Sequence, residues 1–227
     1  MQNNLKKILA LMLAMLMLIA CTACGNNGST NSNETQNNTA NNDTSSEQPD
    51  DTDTPSVPST DGDADGEVLI VYFSNTGNTH KLTEMITAEY EADTLRLTPA
   101  DPYEWETLFE RAQDELNDGI RPELVDLPEA DVIAQYDTIL LGFPIWWYDL
   151  PMPVWTFLEA YDFSGKTIIP YFTHNGSTGG ASALSTIEEL CPDSTVKSDD
   201  ALSLWGDRVD GSEAEVKEWL DGLGLTK

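Results

Sequence analysis

Apolar runs of strand length alternate with amphipathic segments along the chain from Val68 onward. Two of these runs, TILLGF at 138–143 and TIIPYF at 167–172, are almost continuously apolar, which is typical of parallel strands buried on both faces. The runs that we assign to strands are Val68–Phe73, Thr94–Leu97, Thr138–Phe143, Thr167–Phe172 and Thr195–Leu204. This alternation predicts an α/β domain with a doubly wound parallel sheet of five strands and helices on both of its faces.

The segments between the runs carry apolar side chains at the spacing of a helix. The five predicted apolar stripes are Leu82, Met85, Ile86 and Tyr90; Trp105, Leu108, Phe109, Ala112 and Leu116; Val154, Phe157, Leu158 and Tyr161; Ala183 to Leu190; and Val216, Trp219, Leu220 and Leu223. Five strand–helix units follow from this pattern. We expect the tryptophans of these stripes, and Trp155 and Trp205, to pack into the core.

The first 20 residues have the composition of a bacterial export signal. Lys6 and Lys7 precede an apolar run from Ile8 to Ala20, which is shorter than the roughly 20 residues that a spanning helix needs. The run ends in LIAC, which matches the lipobox, so Cys21 is the predicted site of lipidation. The alternative is an uncleaved anchor helix. Either interpretation predicts a protein held on the outer side of the cell membrane.

Residues 21–66 consist mainly of Asn, Thr, Ser, Asp, Gly and Pro. So few apolar side chains cannot offset the conformational entropy lost on folding. We interpret this segment as a flexible tether with a mean reach of roughly 35 Å. Residues 67–227 then form a single domain that can stand clear of the lipid surface.

Charge and cysteine content exclude several classes of function. The chain carries 40 acidic and 11 basic side chains, a formal net charge of −29. Such a surface repels nucleic acid and anionic headgroups, and it favours cationic partners or serves solubility alone. Besides Cys21, only Cys24 and Cys191 remain, and the two histidines, His80 and His174, are far apart in sequence. We therefore expect no disulfide framework and no metal site, and we interpret Cys191 as a packing residue.

Ligands of a doubly wound sheet bind outside the carboxyl ends of its strands. The loop after the first strand, SNTGNT, contains Ser74, Asn75, Thr76, Gly77, Asn78 and Thr79. It opens a predicted helix, so N–H groups, hydroxyls and the helix dipole converge where a phosphate could bind. No lysine of a nucleotide-hydrolysing loop is present, which favours a terminal monophosphate. The alternative is helix capping by Ser74 or Asn75.

The loops after the third and fourth strands add an aromatic wall and a polar rim. GFPIWWYDLP places Trp146, Trp147 and Tyr148 in succession between Pro144 and Pro151. Three consecutive aromatic residues cannot all face inward, so we expect at least one to be exposed beside the ligand, unless the cluster packs at the rim or in an oligomer contact. THNGSTGG, at 173–180, offers backbone donors and acceptors to the edge of a heterocycle.

SNTGNT and the two later loops resemble those of the flavodoxin family, and the resemblance covers essentially all of 68–227. It implies a short-chain flavodoxin-like fold with strand order 2-1-3-4-5 and FMN as cofactor. The FMN-binding residues that it implies are Ser74, Asn75, Thr76, Gly77, Asn78 and Thr79 for the phosphate; Pro144, Ile145, Trp146, Trp147 and Tyr148 beside the isoalloxazine; and Thr173, His174, Asn175, Gly176 and Gly179 at its other edge. Electron-carrier flavodoxins usually place a tyrosine where this chain has His174.

The resemblance implies electron transfer through FMN, in a protein anchored outside the cytoplasm. One alternative is an FMN-dependent NAD(P)H or quinone reductase, which the more open flavin face implied by His174 favours. Another is a lipoprotein that binds a phosphorylated small molecule without redox turnover. The expected partner is a redox protein or a small quinone-like or NAD(P)H substrate, and exposed tryptophans permit a homodimer. Carboxylates would lower the flavin potential, whereas a protonated His174 would raise it.

Overall fold

The computed structural model describes residues 67–176 and 180–225. The predicted export signal, the lipidation site Cys21, the tether and the predicted site residue Gly179 lie outside the described residues. The described part of the chain contains a parallel sheet with helices on both faces. The predicted α/β class is therefore confirmed.

The strands of the parallel sheet agree closely with the apolar runs of the sequence, and two further short strands form a separate sheet. They are β1 (Val68–Tyr72), β2 (Asp93–Arg96), β3 (Thr98–Pro99), β4 (Leu124–Val125), β5 (Thr138–Pro144), β6 (Thr167–His174), β7 (Thr195–Val196) and β8 (Leu202–Trp205). The helices are α1 (Asn78–Glu89), α2 (Leu108–Asp118), α3 (Ala130–Ala134), α4 (Met152–Ala160), α5 (Ala181–Leu190) and α6 (Glu213–Leu223). Within the described ranges, no helix has the length and apolar character that crossing a bilayer requires.

The sheet is parallel throughout, in the order β2-β1-β5-β6, and both β7 and β8 pair with the outer edge of β6. Strands β7 and β8 together occupy the fifth position, so the predicted order 2-1-3-4-5 is confirmed. The predicted fifth strand is interrupted by a 3-10 turn at Ser198–Asp200. Asp199 and Asp200 lie in this turn, and Asp is depleted in strands, which agrees with a break at this point.

Both faces of the sheet are buried, as the continuously apolar strands require. In β1, Leu69 and Val71 face one core cluster, and Ile70 faces the other. Helices α2, α4 and α5 cover the first face, and α1 and α6 cover the second. This layering leaves the carboxyl edge of the sheet to the loops that follow β1, β5, β6 and β8.

The predicted apolar stripe of the second helix is wrong in part. Trp105 and Phe109 are each 62% exposed, whereas Leu108, Ala112 and Glu115 form the buried face of α2. The buried face includes a carboxylate because specific partners satisfy it, and hydrophobic periodicity cannot show such partners. The expectation for Trp205 is also wrong, since this side chain is 39% exposed at the end of β8.

A small element lies between β2 and β5 that the sequence pattern did not indicate. Strands β3 and β4 pair antiparallel, with Thr98 opposite Val125 and Pro99 opposite Leu124. Strands of two residues carry no detectable periodicity, so only the tertiary structure reveals them. The chain between them contains α2 and Tyr103, both of which contribute to the site described next.

Candidate functional site

Three loops meet at the carboxyl edge of the sheet: the first loop (74–79), the second loop (145–151) and the third loop, of which residues 175, 176 and 180 are described. Thr173, near the end of β6, joins the first two. Its hydroxyl oxygen lies 2.9 Å from that of Thr79. Its carbonyl accepts a hydrogen bond of 2.8 Å from the Ile145 N–H. The structure thus places the first and second loops, which were predicted from separate parts of the sequence, in contact with the same residue.

The first loop leads directly into α1. Gly77 is the N-cap residue of α1 and has a left-handed backbone conformation, with φ of 90°. Glycine has no side chain, so the N-cap position itself makes no side-chain capping hydrogen bond. Ser74 Oγ accepts a hydrogen bond of 3.2 Å from the His80 N–H, so the capping alternative applies to Ser74 in part. A hydroxyl that accepts one bond can still donate its proton, so Ser74 remains able to bind an anion. The first N–H groups of α1 face the same point, because a helix start leaves them without intrahelical acceptors.

The other hydroxyls of the first loop differ in exposure. Thr76 is exposed, whereas Thr79 is 1% exposed and bonds to Thr173. The side chains of Asn75 and Asn78 are half-buried. Thr79 therefore holds the loop against β6, Ser74 is also buried at 7% exposure, and Thr76 lies at the surface.

A buried chain of hydroxyls joins β6 to the first turn of α1, which continues the first loop. Tyr171 Oη lies 2.7 Å from Thr83 Oγ1, and Thr83 Oγ1 donates to the Thr79 carbonyl over 2.9 Å. Burial raises the pKa of Tyr171, so its hydroxyl stays protonated. Gly142 on the neighbouring strand leaves room for the Tyr171 ring, which any side chain at that position would displace.

The second loop contains a tight turn over Trp146–Asp149. Trp146 and Asp149 exchange backbone hydrogen bonds of 3.0 and 2.9 Å, and the two central residues, Trp147 and Tyr148, have φ of 48° and 70°. Positive φ at both central positions is the type I′ geometry, which favours Asn and Gly. Aromatic residues there cost about 1–3 kcal/mol each, and such strain is concentrated at functional sites.

Side-chain contacts hold this turn from both ends. Trp147 Nε1 donates to the Phe109 carbonyl over 2.9 Å, and Ser182 Oγ lies 2.9 Å from Asp149 Oδ2. Trp147 is 40% exposed and Tyr148 is 65% exposed. The prediction that at least one aromatic residue of this run is exposed is confirmed.

A cavity of about 350 Å³ opens between α2 and the second loop. Its lining is uncharged and consists of Leu108, Phe109, Ala112, Ile145, Trp146, Trp147, Tyr148, Asn175 and Gly176. Flat aromatic rings pack well against such a lining, and the backbone of the third loop provides polar groups at one end. Six of these residues were predicted from the sequence, whereas the three from α2 were not. These three were not predicted because the apolar stripe of α2 was interpreted as packing into the core.

His174 ends β6 beside this cavity but does not line it. Its ring centroid lies 4.9 Å from that of Trp205, and its Nδ1 is buried without a hydrogen-bond partner among the described residues. A buried polar atom of this kind is costly unless a ligand or a solvent molecule satisfies it. Pro144, which pairs with Thr173 at the end of β5, also lies outside the cavity lining.

The end of β8 contributes a fourth segment that sequence analysis missed. A Cβ placed on Gly206 would lie 2.8 Å from Asn78 Nδ2 and 2.9 Å from Asn175 Oδ1. Gly206 thus permits the first and third loops to approach each other. The rule that ligands bind at the carboxyl ends of strands would have found it, had it been applied to the fifth strand as well.

No group of three or more potential metal ligands of the His, Cys, Asp or Glu type occurs within residues 67–176 and 180–225. Cys191, which is buried in the core beside Ile187, is a free thiol. Burial raises its pKa to about 11. These properties support the interpretation of Cys191 as a packing residue.

Comparison with known proteins adds a family. The family model described as Flavodoxin matches residues 67–223. A search of curated proteins found no match.

Three solved structures share the fold. A candidate flavoprotein from Bacteroides uniformis ATCC 8492 is 31% identical, with a TM-score of 0.59, over 69% of this chain and 98% of its own. One from Bacteroides eggerthii DSM 20697 is 29% identical, with a TM-score of 0.58, over 71% and 100%. A flavoprotein from Lactobacillus acidophilus NCFM, solved in complex with FMN, is 22% identical, with a TM-score of 0.51, over 68% and 99%.

Proposed function

Because the chain belongs to the flavodoxin family, we propose that it binds FMN at the meeting point of the three loops and uses it for electron transfer. One observation carries the proposal. Thr173 contacts both the first and the second loop, next to an uncharged cavity of about 350 Å³ lined by aromatic side chains. A monophosphate site and a slot for a flat ring then lie on one edge of the sheet.

The residues at this edge fit the parts of FMN. Ser74 and Thr76, with the N–H groups at the start of α1, would hold the phosphate without a cation. The aromatic residues of the second loop would border the isoalloxazine, and the backbone of Asn175 and Gly176 would meet its polar edge. The Nδ1 atom of His174, which has no partner among the described residues, is a further group that a bound heterocycle could satisfy.

When bound, FMN supplies one- or two-electron redox chemistry, and the protein sets its orientation and potential. The lining of the cavity would shield part of a bound ring from water, and it contains no charged side chain. His174 lies at the end of β6, beside the described part of the third loop. A proton on its imidazole would stabilise negative charge in the site, so this residue would raise the potential.

The visible spectrum of the purified protein tests this proposal directly. A yellow protein with flavin bands, or an apoprotein that binds added FMN more tightly than riboflavin, is the expected result, because the first loop recognises the phosphate. Colourless protein that ignores FMN would remove both redox functions. The remaining function would then be binding of another phosphorylated small molecule.

A reductase is the second candidate, and exposure at the cavity mouth favours it. Trp147 and Tyr148 are 40% and 65% exposed, so a flat substrate could stack beside a bound flavin. Oxidation of NADH and NADPH by the FMN-loaded protein, with quinones as acceptors, distinguishes the candidates. Turnover with a quinone indicates a reductase. Reduction of the flavin that needs a partner protein indicates an electron carrier. The oligomeric state is a separate question, and light scattering on the same preparation shows whether the protein is a homodimer.

We also propose that the protein is a lipoprotein attached to the outer face of the cell membrane. The LIAC sequence and the polar segment after it support this location, in which the flavin domain would stand at a mean distance of about 35 Å from its lipid anchor. Metabolic labelling with an alkyne fatty acid should mark the wild-type protein and Cys24→Ala but not Cys21→Ala. Equal labelling of both variants would exclude Cys21 as the anchor.

A further inference from the structure

Tyr103 lies behind the aromatic wall of the cavity and was not identified from the sequence. Its ring is 6% exposed and packs edge to face against Phe73 and Trp146, with centroid distances of 6.0 and 5.0 Å. Phe73 also packs edge to face against Trp146, at 5.2 Å. Each ring of this trio therefore contacts the other two. Of the three, Trp146 lines the cavity.

Two side chains of α2 fix the Tyr103 ring. Its hydroxyl donates to Glu115 Oε2 over 2.5 Å, and the Arg111 guanidinium stacks 4.0 Å above the ring centroid. Arg111 Nε in turn donates to Glu115 Oε1 over 2.8 Å. Burial, followed by the bond to Glu115, raises the pKa of Tyr103, so the phenol stays protonated and acts as the donor.

Arg111 also ties down the chain that carries Tyr103. Its Nη1 donates to the Pro102 carbonyl over 2.9 Å, and its Nη2 donates to the Asp101 carbonyl over 3.1 Å. Nη1 lies 3.0 Å from the Asp101 carboxylate as well. The guanidinium thus holds both the ring and the backbone of this segment. An isolated stacking contact would leave the segment free to move.

The carboxylate of Glu115 is 5% exposed, and both of its oxygens have partners. A buried charge is expensive unless it is paired and hydrogen-bonded, and an apolar residue here would complete the α2 stripe at lower cost. Stability alone does not require a carboxylate at this position. Orientation of the Tyr103 ring does, because hydrogen bonds are directional and apolar packing is not.

We propose that Glu115 and Arg111 are positioning residues that act through Tyr103 to fix the indole of Trp146 as the rigid wall of the flavin cavity. The expected effect on FMN binding rests on the proposed function, whereas the packing of Tyr103 against Trp146 does not depend on a bound flavin. None of the three side chains at 103, 111 and 115 lines the cavity. Their effect on a bound ring is therefore indirect, and the contact of the Tyr103 ring with Trp146 provides a route for it.

A second cluster of the same chemistry provides a matched control. Arg121 stacks 4.5 Å from the Trp155 ring and pairs with Glu159 through bonds of 2.7 and 2.8 Å. It has an arginine, a glutamate and an aromatic ring, but its residues do not line the cavity. Glu159→Gln thus removes one carboxylate–arginine pair without touching the trio of Phe73, Tyr103 and Trp146.

The experiment uses full-length protein labelled with 5-fluorotryptophan and observed by fluorine NMR. The Trp146 resonance is assigned as the one that Trp146→Phe removes. In the apoprotein, Glu115→Gln and Tyr103→Phe should shift or broaden this resonance, whereas Glu159→Gln should leave it unchanged. In the FMN-loaded protein, Glu115→Gln and Tyr103→Phe should raise the FMN Kd roughly 2- to 150-fold, the range that couplings between neighbouring residues span.

The two arms separate failure of this inference from failure of the proposed function. A wild-type protein that does not bind FMN refutes the proposed function, and the apoprotein resonance still decides the positioning role. An unchanged Trp146 resonance with an unchanged FMN Kd in both variants overturns the inference. If Glu115→Gln does not fold, Tyr103→Phe alone decides, since it removes only the hydroxyl and keeps the ring.

Discussion

The hydroxyl oxygens of Thr79 and Thr173 lie 2.9 Å apart in a site from which water is excluded. Thr79 belongs to the first turn of α1, and Thr173 belongs to β6, so one hydrogen bond joins a helix and a strand through residues 94 positions apart in the chain. Either hydroxyl left alone would be a buried polar group without this partner. The pair therefore fixes the distance between the phosphate-binding and ring-edge parts of the proposed FMN site.

Thr79→Val and Thr173→Val should each lower the free energy of unfolding by about 1–3 kcal/mol, because each leaves one buried hydroxyl unsatisfied. The double variant should cost less than the sum of the two, since it removes both hydroxyls. Urea unfolding of the four proteins measures this coupling. Strict additivity would show that the two hydroxyls do not interact.

Gly142→Ala should destabilise the protein by about 1–3 kcal/mol, since the added methyl group meets the Tyr171 ring in a fully packed core. Displacement of Tyr171 would also disturb its bond to Thr83 beneath the first loop, so FMN affinity should fall with stability. Thermal unfolding and FMN titration measure the two effects. Gly222→Ala, on open surface in α6, is the control and should be neutral or stabilising.

Tyr148→Gly should raise the free energy of unfolding by about 1 kcal/mol or more, because glycine relieves the positive φ at this position. The same change should weaken FMN binding, since it removes part of the aromatic wall. Tyr148→Ala is the matched control, because it loses the ring but keeps the backbone strain. Equal stability of the glycine and alanine variants would contradict a strained turn.

His174→Leu should lower the reduction potential of the bound flavin and reduce its dependence on pH, because it removes an imidazole beside the third loop. Spectroelectrochemical titration at several pH values measures both quantities. Trp205→Leu is the control, since it breaks the same ring contact and keeps the imidazole. A potential and pH slope that His174→Leu leaves unchanged would rule out this role.

Cys191 should make stability depend on pH in the alkaline range. Burial raises the pKa of its thiol from 9.0 to about 11, so the unfolded chain ionises first as the pH rises. The contribution of the neutral thiol is complete below pH 9 and is lost between pH 9 and 11. The difference in unfolding free energy between wild type and Cys191→Ala should change across this interval. A difference that is constant with pH would contradict the burial of the thiol.

Much of this architecture could be predicted from the sequence. The runs TILLGF and TIIPYF indicated central strands, because buried parallel strands are apolar on both faces. In the structure they pair as β5 and β6, with Thr138 opposite Thr167. The residues of SNTGNT indicated a phosphate loop, because small polar residues around a glycine, between a strand and a helix, place hydroxyls and free N–H groups where an anion can bind. Local pattern was sufficient wherever local chemistry set the structure.

The tertiary structure decided what depends on partners distant in sequence. Trp105 and Phe109 share helical spacing with Leu108 and Ala112, yet they are exposed, because α2 turns Glu115 inward to meet Arg111 and Tyr103. Gly206 became part of the site because β8 ends beside Asn78 and Asn175. Hydrophobic periodicity records the spacing of apolar residues along the chain. It does not record which polar groups find each other across the fold, and that pairing determined the wall of the cavity.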